Sequence, residues 1–351
     1  MRRLAPLLLL LSCLPGRTPA QPPAIRISGQ VRDSVSGRPL EFVNVFLAQT
    51  TIGTVTRADG RFQLDHVPPG PYELIFSRLG YALVRRHLEL TSAGRYTVDV
   101  RLSSRPITVG EVEATGSRRE WKEHLGQFER IFLGESRNAE GCKLENPEVL
   151  SFKADSSTGV LLATADRPLL VENRALGYHL FVVLSEFRWN LRGDYGSFLI
   201  FPRFQPLTSS ATDQAARWSE NRAVTYAESP RHFLAALVHR KLDEEGFHLF
   251  AGSLEDLQQR LGKTVPPDSL TLRPVPGTPF TRWQWNGWLR VDQDLPVGTH
   301  TSFLYLERAE VYVDSAGTLR DPLSVGVLGF WQGYRLADLL PSDYHPPKLE
   351  Q

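Results

Sequence analysis

The sequence predicts a mostly β protein in two parts, an antiparallel seven-stranded β-sandwich at residues 25–102 and an α+β domain at 118–345. Three observations carry this. Short runs that alternate apolar and polar residues recur about every 8–12 positions after residue 25, the spacing of sandwich strands. Turn residues separate the runs, above all Asp59-Gly60 and Pro68-Pro69-Gly70. From Arg118 the apolar period changes to that of a helix, with Trp121, Leu125, Phe128 and Phe132 on one stripe.

The first segment, residues 1–20, reads as an export signal. Arg2 and Arg3 precede an apolar stretch from Leu4 to Leu14, Pro15-Gly16 ends it, and Thr18-Pro19-Ala20 offers small residues for cleavage. The stretch is too short to span a bilayer, and no later segment is long and apolar enough to do so. Leu10-Leu11-Ser12-Cys13 has the form of a lipoprotein box, which makes Cys13 a candidate lipidation site. Cleavage after Ala20 is the reading the short apolar stretch favours. Either way Cys142 is left as the one ordinary thiol, so the mature fold rests on its cores rather than on an internal disulfide.

A chain of 351 residues is long for one core, hence two domains. Apolar residues at 41% and charged residues at 23% are those of an ordinary globular protein. With a net charge of +1 and no basic stripe, composition gives nucleic acid no support as a partner.

The sandwich strands follow in order. Ile25, Ile27 and Val31 alternate with polar residues, and Ser36-Gly37-Arg38-Pro39 turns the chain into a second run from Leu40 to Leu47. Thr54 to Thr56 leads to Asp59-Gly60, with Phe62 and Leu64 beyond it. Tyr72, Leu74 and Phe76 share one face of a fifth run, and the runs 84–90 and 96–102 complete the set. Ser28-Gly29-x-Val31-x-Asp33, Gly37-x-Pro39-Leu40, Val43-Asn44-Val45, Thr51-x-Gly53-Thr54-x-Thr56, Asp59-Gly60-x-Phe62 and Val67-Pro68-Pro69-Gly70-x-Tyr72 closely resemble the carboxypeptidase regulatory-like domain. The resemblance implies a transthyretin-like Greek-key sandwich of a carbohydrate-binding-like superfamily, a module appended to many proteins, TonB-dependent receptors among them. It implies no activity. No lysine lies between Gln21 and Trp121, so the isopeptide chemistry of some surface sandwiches is absent. No histidine has a glutamate three residues on, as the zinc carboxypeptidases require. A transport receptor is not expected, since the roughly 250 residues after the sandwich are few for a plug and a 22-stranded barrel.

Residues 103–117 read as a linker with one strand at 107–112. Helix 118–133 follows, capped by Ser117 and stopped by Gly134. Strand runs are expected at 149–153, 160–165, 169–171, 179–189 and 196–201, and helices at 212–226, 230–245 and 253–262. The remainder to Leu340 returns to β. Phe132-Leu133-Gly134-x-Ser136-x-Asn138-Ala139, Glu172-Asn173-x-x-Leu176-Gly177-Tyr178, Trp218-x-x-Asn221-Arg222, Ser229-x-x-His232-Phe233-Leu234 and Leu339-Leu340-Pro341-x-Asp343-Tyr344 are similar to uncharacterised Bacteroidota envelope proteins. That resemblance assigns no functional residues.

Two constellations are candidate ligand sites. Trp218, Arg222 and Tyr226 form an i, i+4, i+8 row, readable as a cation–π stack pinning the helix to the sheet or, with His232, as a pocket wall. Trp283 and Trp285 fall on one strand face, readable as core or as a stacking surface for sugar rings. His239 and Asp243 alone do not make a metal site, and Cys142 lacks a peptidase signature. Neither a cofactor nor a metal is expected. The expectation is a non-catalytic exported envelope protein, with the sandwich as docking or spacer module and the second domain meeting an envelope protein or glycan. A carbohydrate-binding protein and a cryptic hydrolase are the alternatives.

Overall fold

A computed structural model of the chain describes residues 25–92, 94–104, 117–296 and 298–346. The leader at 1–20 with Cys13, and the strand expected at 107–112, lie outside the described residues. All seven sandwich runs form strands: β1 (Ile25–Asp33), β2 (Asn44–Leu47), β3 (Gly53–Val55), β4 (Arg61–Val67), β5 (Gly70–Ser77), β6 (Val84–Leu90), and a last run split into β7 (Arg95–Thr97) and β8 (Val100–Leu102). Both pieces of the last run lie parallel to β1, so the two strands together cover one edge of it.

Sheet β4-β1-β7, with β8 also on β1, faces sheet β3-β2-β5-β6. Between them sit Ile25, Ile27, Val31, Val45, Leu47, Phe62, Leu64, Leu74 and Phe76. Alternation is plain in β4, where Phe62 and Leu64 are buried and Arg61 and Gln63 exposed. The turn before it needs a glycine, because Gly60 has φ +71° and a Cβ there would stand 2.5 Å from the Val31 carbonyl oxygen.

In β2 and β5 the alternation is lost. Val45, Phe46 and Leu47 are all buried, as are Leu74, Ile75 and Phe76. Their second face is covered by the body of the protein.

That body opens with α1 (Arg118–Leu133), whose Ser117 and Glu120 form a reciprocal capping box. Then come β9 (Cys142–Leu144), β10 (Leu150–Asp155), β11 (Val160–Ala165), β12 (Leu169–Asn173), β13 (Tyr178–Asn190) and β14 (Tyr195–Pro206). The long β13 pairs with β14 along its length, while β12 takes one end of its other edge and β11 the opposite end. Phe128 and Phe132 of α1 pack on one sheet face with Leu161, Leu180, Phe187 and Phe204. The other face meets the sandwich, where Phe46 and Ile75 close against Val183 and Phe201.

The rest builds a separate core. It comprises α2 (Thr212–Ala227), α3 (Pro230–Val238), β15 (Phe247–Gly252), α4 (Leu254–Gln258), β16 (Lys263–Thr264), β17 (Thr271–Pro274), β18 (Phe280–Gln284), β19 (Trp288–Leu295), β20 (Gly298–Leu306), β21 (Glu310–Asp314) and β22 (Val325–Gly329). Sheets β16-β15-β19-β20-β22 and β17-β18-β21 enclose Phe233, Leu237, Phe247, Trp283, Leu304 and Trp331. Residues 118–345 therefore hold two cores. Helix α3 stops at Val238 rather than at 245, because Arg240 turns left-handed at φ 57°. The last segment then returns, and Leu336 packs into the core under α1.

Candidate functional site

Helix α2 caps the turn between β12 and β13. Trp218 Nε1 donates to the Arg174 carbonyl at 2.8 Å and Asn221 Nδ2 to that of Ala175 at 2.8 Å. Arg222 Nε reaches the Leu176 carbonyl at 2.7 Å and a terminal nitrogen reaches Gly177 at 3.0 Å. Its guanidinium stacks on Tyr178, 4.1 Å from the ring centre. One helix face thus bonds four successive carbonyls of the turn, of which that of Gly177 also accepts from Leu207 N at 3.0 Å.

The expected pocket of Arg222 and His232 is not formed. Ser229 caps α3 after α2 has ended, and this break turns His232 toward β15. His232 Nδ1 lies 2.9 Å from the Ala227 carbonyl, and its Nε2 lies 3.1 Å from the Glu245 carboxylate. Tyr226 packs on that imidazole, 5.2 Å between centres. Neither Arg222 nor His232 borders the cavities of about 720, 420, 320 and 400 Å³, whereas Tyr226 borders the one of about 320 Å³.

For the tryptophan pair the core reading holds, and the stacking-surface reading is the one to correct. Trp283 is fully buried and meets Phe233 edge-on at 6.3 Å, while Trp285 packs against the same core. Sugar stacking requires an open ring face, and Trp283 has none.

The structure points instead to a cleft of about 720 Å³ between the two cores of the body. Its walls are the end of α1 with Arg130, Ser136 and Asn138, and the return segment with Arg335 and Asp338. Asp338 is 5% exposed. Its Oδ1 accepts from Ser136 Oγ at 2.7 Å and from Asn138 Nδ2 at 2.9 Å, and its Oδ2 has no hydrogen-bond partner. His300 stacks on Phe330 at 3.8 Å, and its Nδ1 too is buried without a partner. Arg335 lies over Trp189 at 5.2 Å, and burial lowers its pKa. Burial and the nearby Asp338 carboxylate push the Cys142 thiol up to about 12, which disfavours the nucleophilic thiolate at neutral pH.

These residues were missed because none repeats at a motif spacing. One signal was present: Asp338 interrupts the apolar run Leu336-Ala337-Asp338-Leu339-Leu340, and a carboxylate there is either buried or misplaced. Burial raises its pKa above the ordinary 3.8, the Ser136 and Asn138 hydrogen bonds opposing. Its contribution to stability is therefore complete below the unfolded value and lost as pH rises through the folded one. Asp338→Asn keeps an acceptor for Ser136 and Asn138 and removes that loss. We expect the variant to melt above the wild type at about pH 7, with the difference vanishing near pH 3, by calorimetry across that range. A variant less stable at neutral pH would contradict the assignment.

The carboxypeptidase regulatory-like domain model matches residues 26–103. No curated protein matches the chain. Among solved structures, the chain is similar to a type II cohesin–X-dockerin complex from Acetivibrio cellulolyticus at 19% identity, over 23% of this chain and 55% of that one, TM-score 0.17. It is similar to a DUF3823 family protein from Bacteroides ovatus at 8% identity, over 84% of this chain and 100% of that one, TM-score 0.20. Another DUF3823 family protein, from Parabacteroides merdae, matches at 13% identity over 52% of this chain and 82% of that one, TM-score 0.18. At such TM-scores these likenesses carry no argument about architecture or function. The family match and the seven strand runs agree, and residues 26–103 are a carboxypeptidase regulatory-like domain.

Proposed function

We propose that this chain is a non-catalytic exported envelope protein whose sandwich is a fixed spacer and whose inter-core cleft binds the ligand. The observation that carries the reading is Asp338, a cleft-lining residue whose buried Oδ2 has no hydrogen-bond partner. A buried polar atom left unsatisfied costs about 1–3 kcal/mol, and a ligand donor entering the cleft would relieve it. The leader-like residues 1–20 support export. A carbohydrate is the second reading for the ligand, supported by Asp338, Asn138 and the arginines Arg130, Arg137 and Arg335 around one cleft. Amides, carboxylates and guanidinium groups are the donors and acceptors that sugar hydroxyls need.

Gly333 gives the test. It lines the cleft, and a Cβ there meets nothing within 4 Å, so a large side chain enters open space without unfolding the protein. Immobilised full-length chain would be offered envelope extract and a glycan array. We expect Gly333→Trp to lose at least about tenfold of the specific capture while melting within about 2 °C of wild type. Equal capture by both proteins would refute the cleft as the site. Turnover of a captured molecule would refute the non-catalytic reading.

A further inference from the structure

The apolar residues left exposed are concentrated at one end of the sandwich. Val35 is 88% exposed, Phe42 67% and Leu79 56%, and with Val55 and Leu83 they make five of the eight large hydrophobics exposed among the described residues. Strand register places them together. β1 pairs with β4 so that Gln30 meets Arg61, which sets the turn at 57–60 beside the turn at 34–38. β2 pairs with β5 so that Asn44 meets Ser77, which sets the turn at 78–83 beside Phe42. Ser34 N donates to Leu102 O and Ala82 N to Ser103 O, joining the two sheets at this end. The opposite end, at the β2–β3 turn, is held by the body, where Gln49 N donates to Pro202 O at 2.6 Å.

Two of these residues are held outward by the backbone. Phe42 has φ 59°, a conformation an aromatic residue seldom adopts, and it persists because Thr56 Oγ1 bridges Leu40 O and Val43 N on either side. Leu79 precedes Gly80, which turns at φ +81° in open space. Around these tips stand Arg38, Arg57, Arg61 and Arg78, against Glu41 and Asp59. Asp59 faces Arg61 at 3.8 Å, and Asp33, which accepts from Val35 N and Ser36 N, keeps its charge, so four arginines stand against three carboxylates.

We propose that this end of the sandwich is a membrane-contact surface, with Val35, Phe42 and Leu79 entering the interface of an anionic bilayer and the arginines meeting its headgroups. Apolar tips within a net cationic rim fit such a surface on both counts, since buried apolar area and charge attraction act together there.

Vesicle co-sedimentation tests this on the full chain carrying Cys13→Ser, so that no acyl chain contributes. Binding is expected to vesicles of mixed phosphatidylcholine and phosphatidylglycerol, to weaken with added salt, and to be much lower on phosphatidylcholine alone. Phe42→Asn combined with Leu79→Ser should reduce binding about tenfold or more without changing the melting temperature, because asparagine tolerates the left-handed backbone. Sedimentation with neither vesicle would assign the patch to a protein partner and overturn the proposal. Binding undiminished in the double variant would overturn it equally.

Discussion

Replacing Phe46 with alanine is expected to cost about 3–5 kcal/mol and to release the sandwich from the body. Phe46 is fully buried, yet it points away from the sandwich core, meeting Phe181 edge-on at 5.7 Å. Val183, Phe201 and Ile75 complete the cluster, and Arg85 lies 5.0 Å over the Phe201 ring. Truncating the ring removes apolar burial and leaves a cavity between two rigid sheets that have little room to collapse. Around it the turn after β2 is tied on both sides: Phe204 N donates to Thr50 O at 2.9 Å, Ser342 N to Gln49 O at 2.6 Å, and Thr51 N to the Asp343 carboxylate at 3.1 Å. The Arg320–Glu89 ion pair across the same junction is exposed and contributes little. Urea denaturation should show the loss of stability, and amide exchange should accelerate at 48–52 and 201–204 before elsewhere. A cost below about 1 kcal/mol would mean that the junction is not a packed interface.

Gly177→Ala is expected to be nearly as damaging, by about 2–4 kcal/mol. Gly177 has φ +68°, and a Cβ on it would stand 2.3 Å from the Trp218 indole. The methyl group therefore adds left-handed strain and forces α2 outward. Moving α2 breaks four side-chain bonds at once, since Trp218, Asn221 and Arg222 all cap the same turn. Loss of the near-ultraviolet signal of Trp218 with a lowered denaturation midpoint would be the signature. An alanine variant of wild-type stability would show that α2 is not pinned as described.

Most of the sandwich was legible from sequence because its signals are local: period-two apolar runs, Asp59-Gly60, Pro68-Pro69-Gly70. The helix spacing likewise showed that Trp218 and Arg222 share a face, but the ring under Arg222 is Tyr178, forty-odd residues upstream, which periodicity cannot reach. Burial on both faces of β2 and β5 was visible as the unbroken Val45-Phe46-Leu47 and Leu74-Ile75-Phe76 runs, and it says that something covers them without saying what. Trp283 and Trp285 show the limit from the other side. Strand alternation placed them on one face, and only the packing of α3 over that face decides that it is core. The cleft was the least legible feature, since Ser136, Asn138, Thr225 and Asp338 come from three distant segments and meet only when the return segment folds back.

The sandwich as a fixed spacer rather than a swinging module is tested most directly by a spin-label distance. Nitroxides would be placed at Arg101→Cys on β8 and Ser156→Cys beyond β10, both exposed, in a background of Cys13→Ser and Cys142→Ala so that no other thiol is labelled. One narrow distance distribution, broadened by Phe46→Ala, is the expected result. A broad distribution in the wild type would contradict the docking of β2 and β5 on the body.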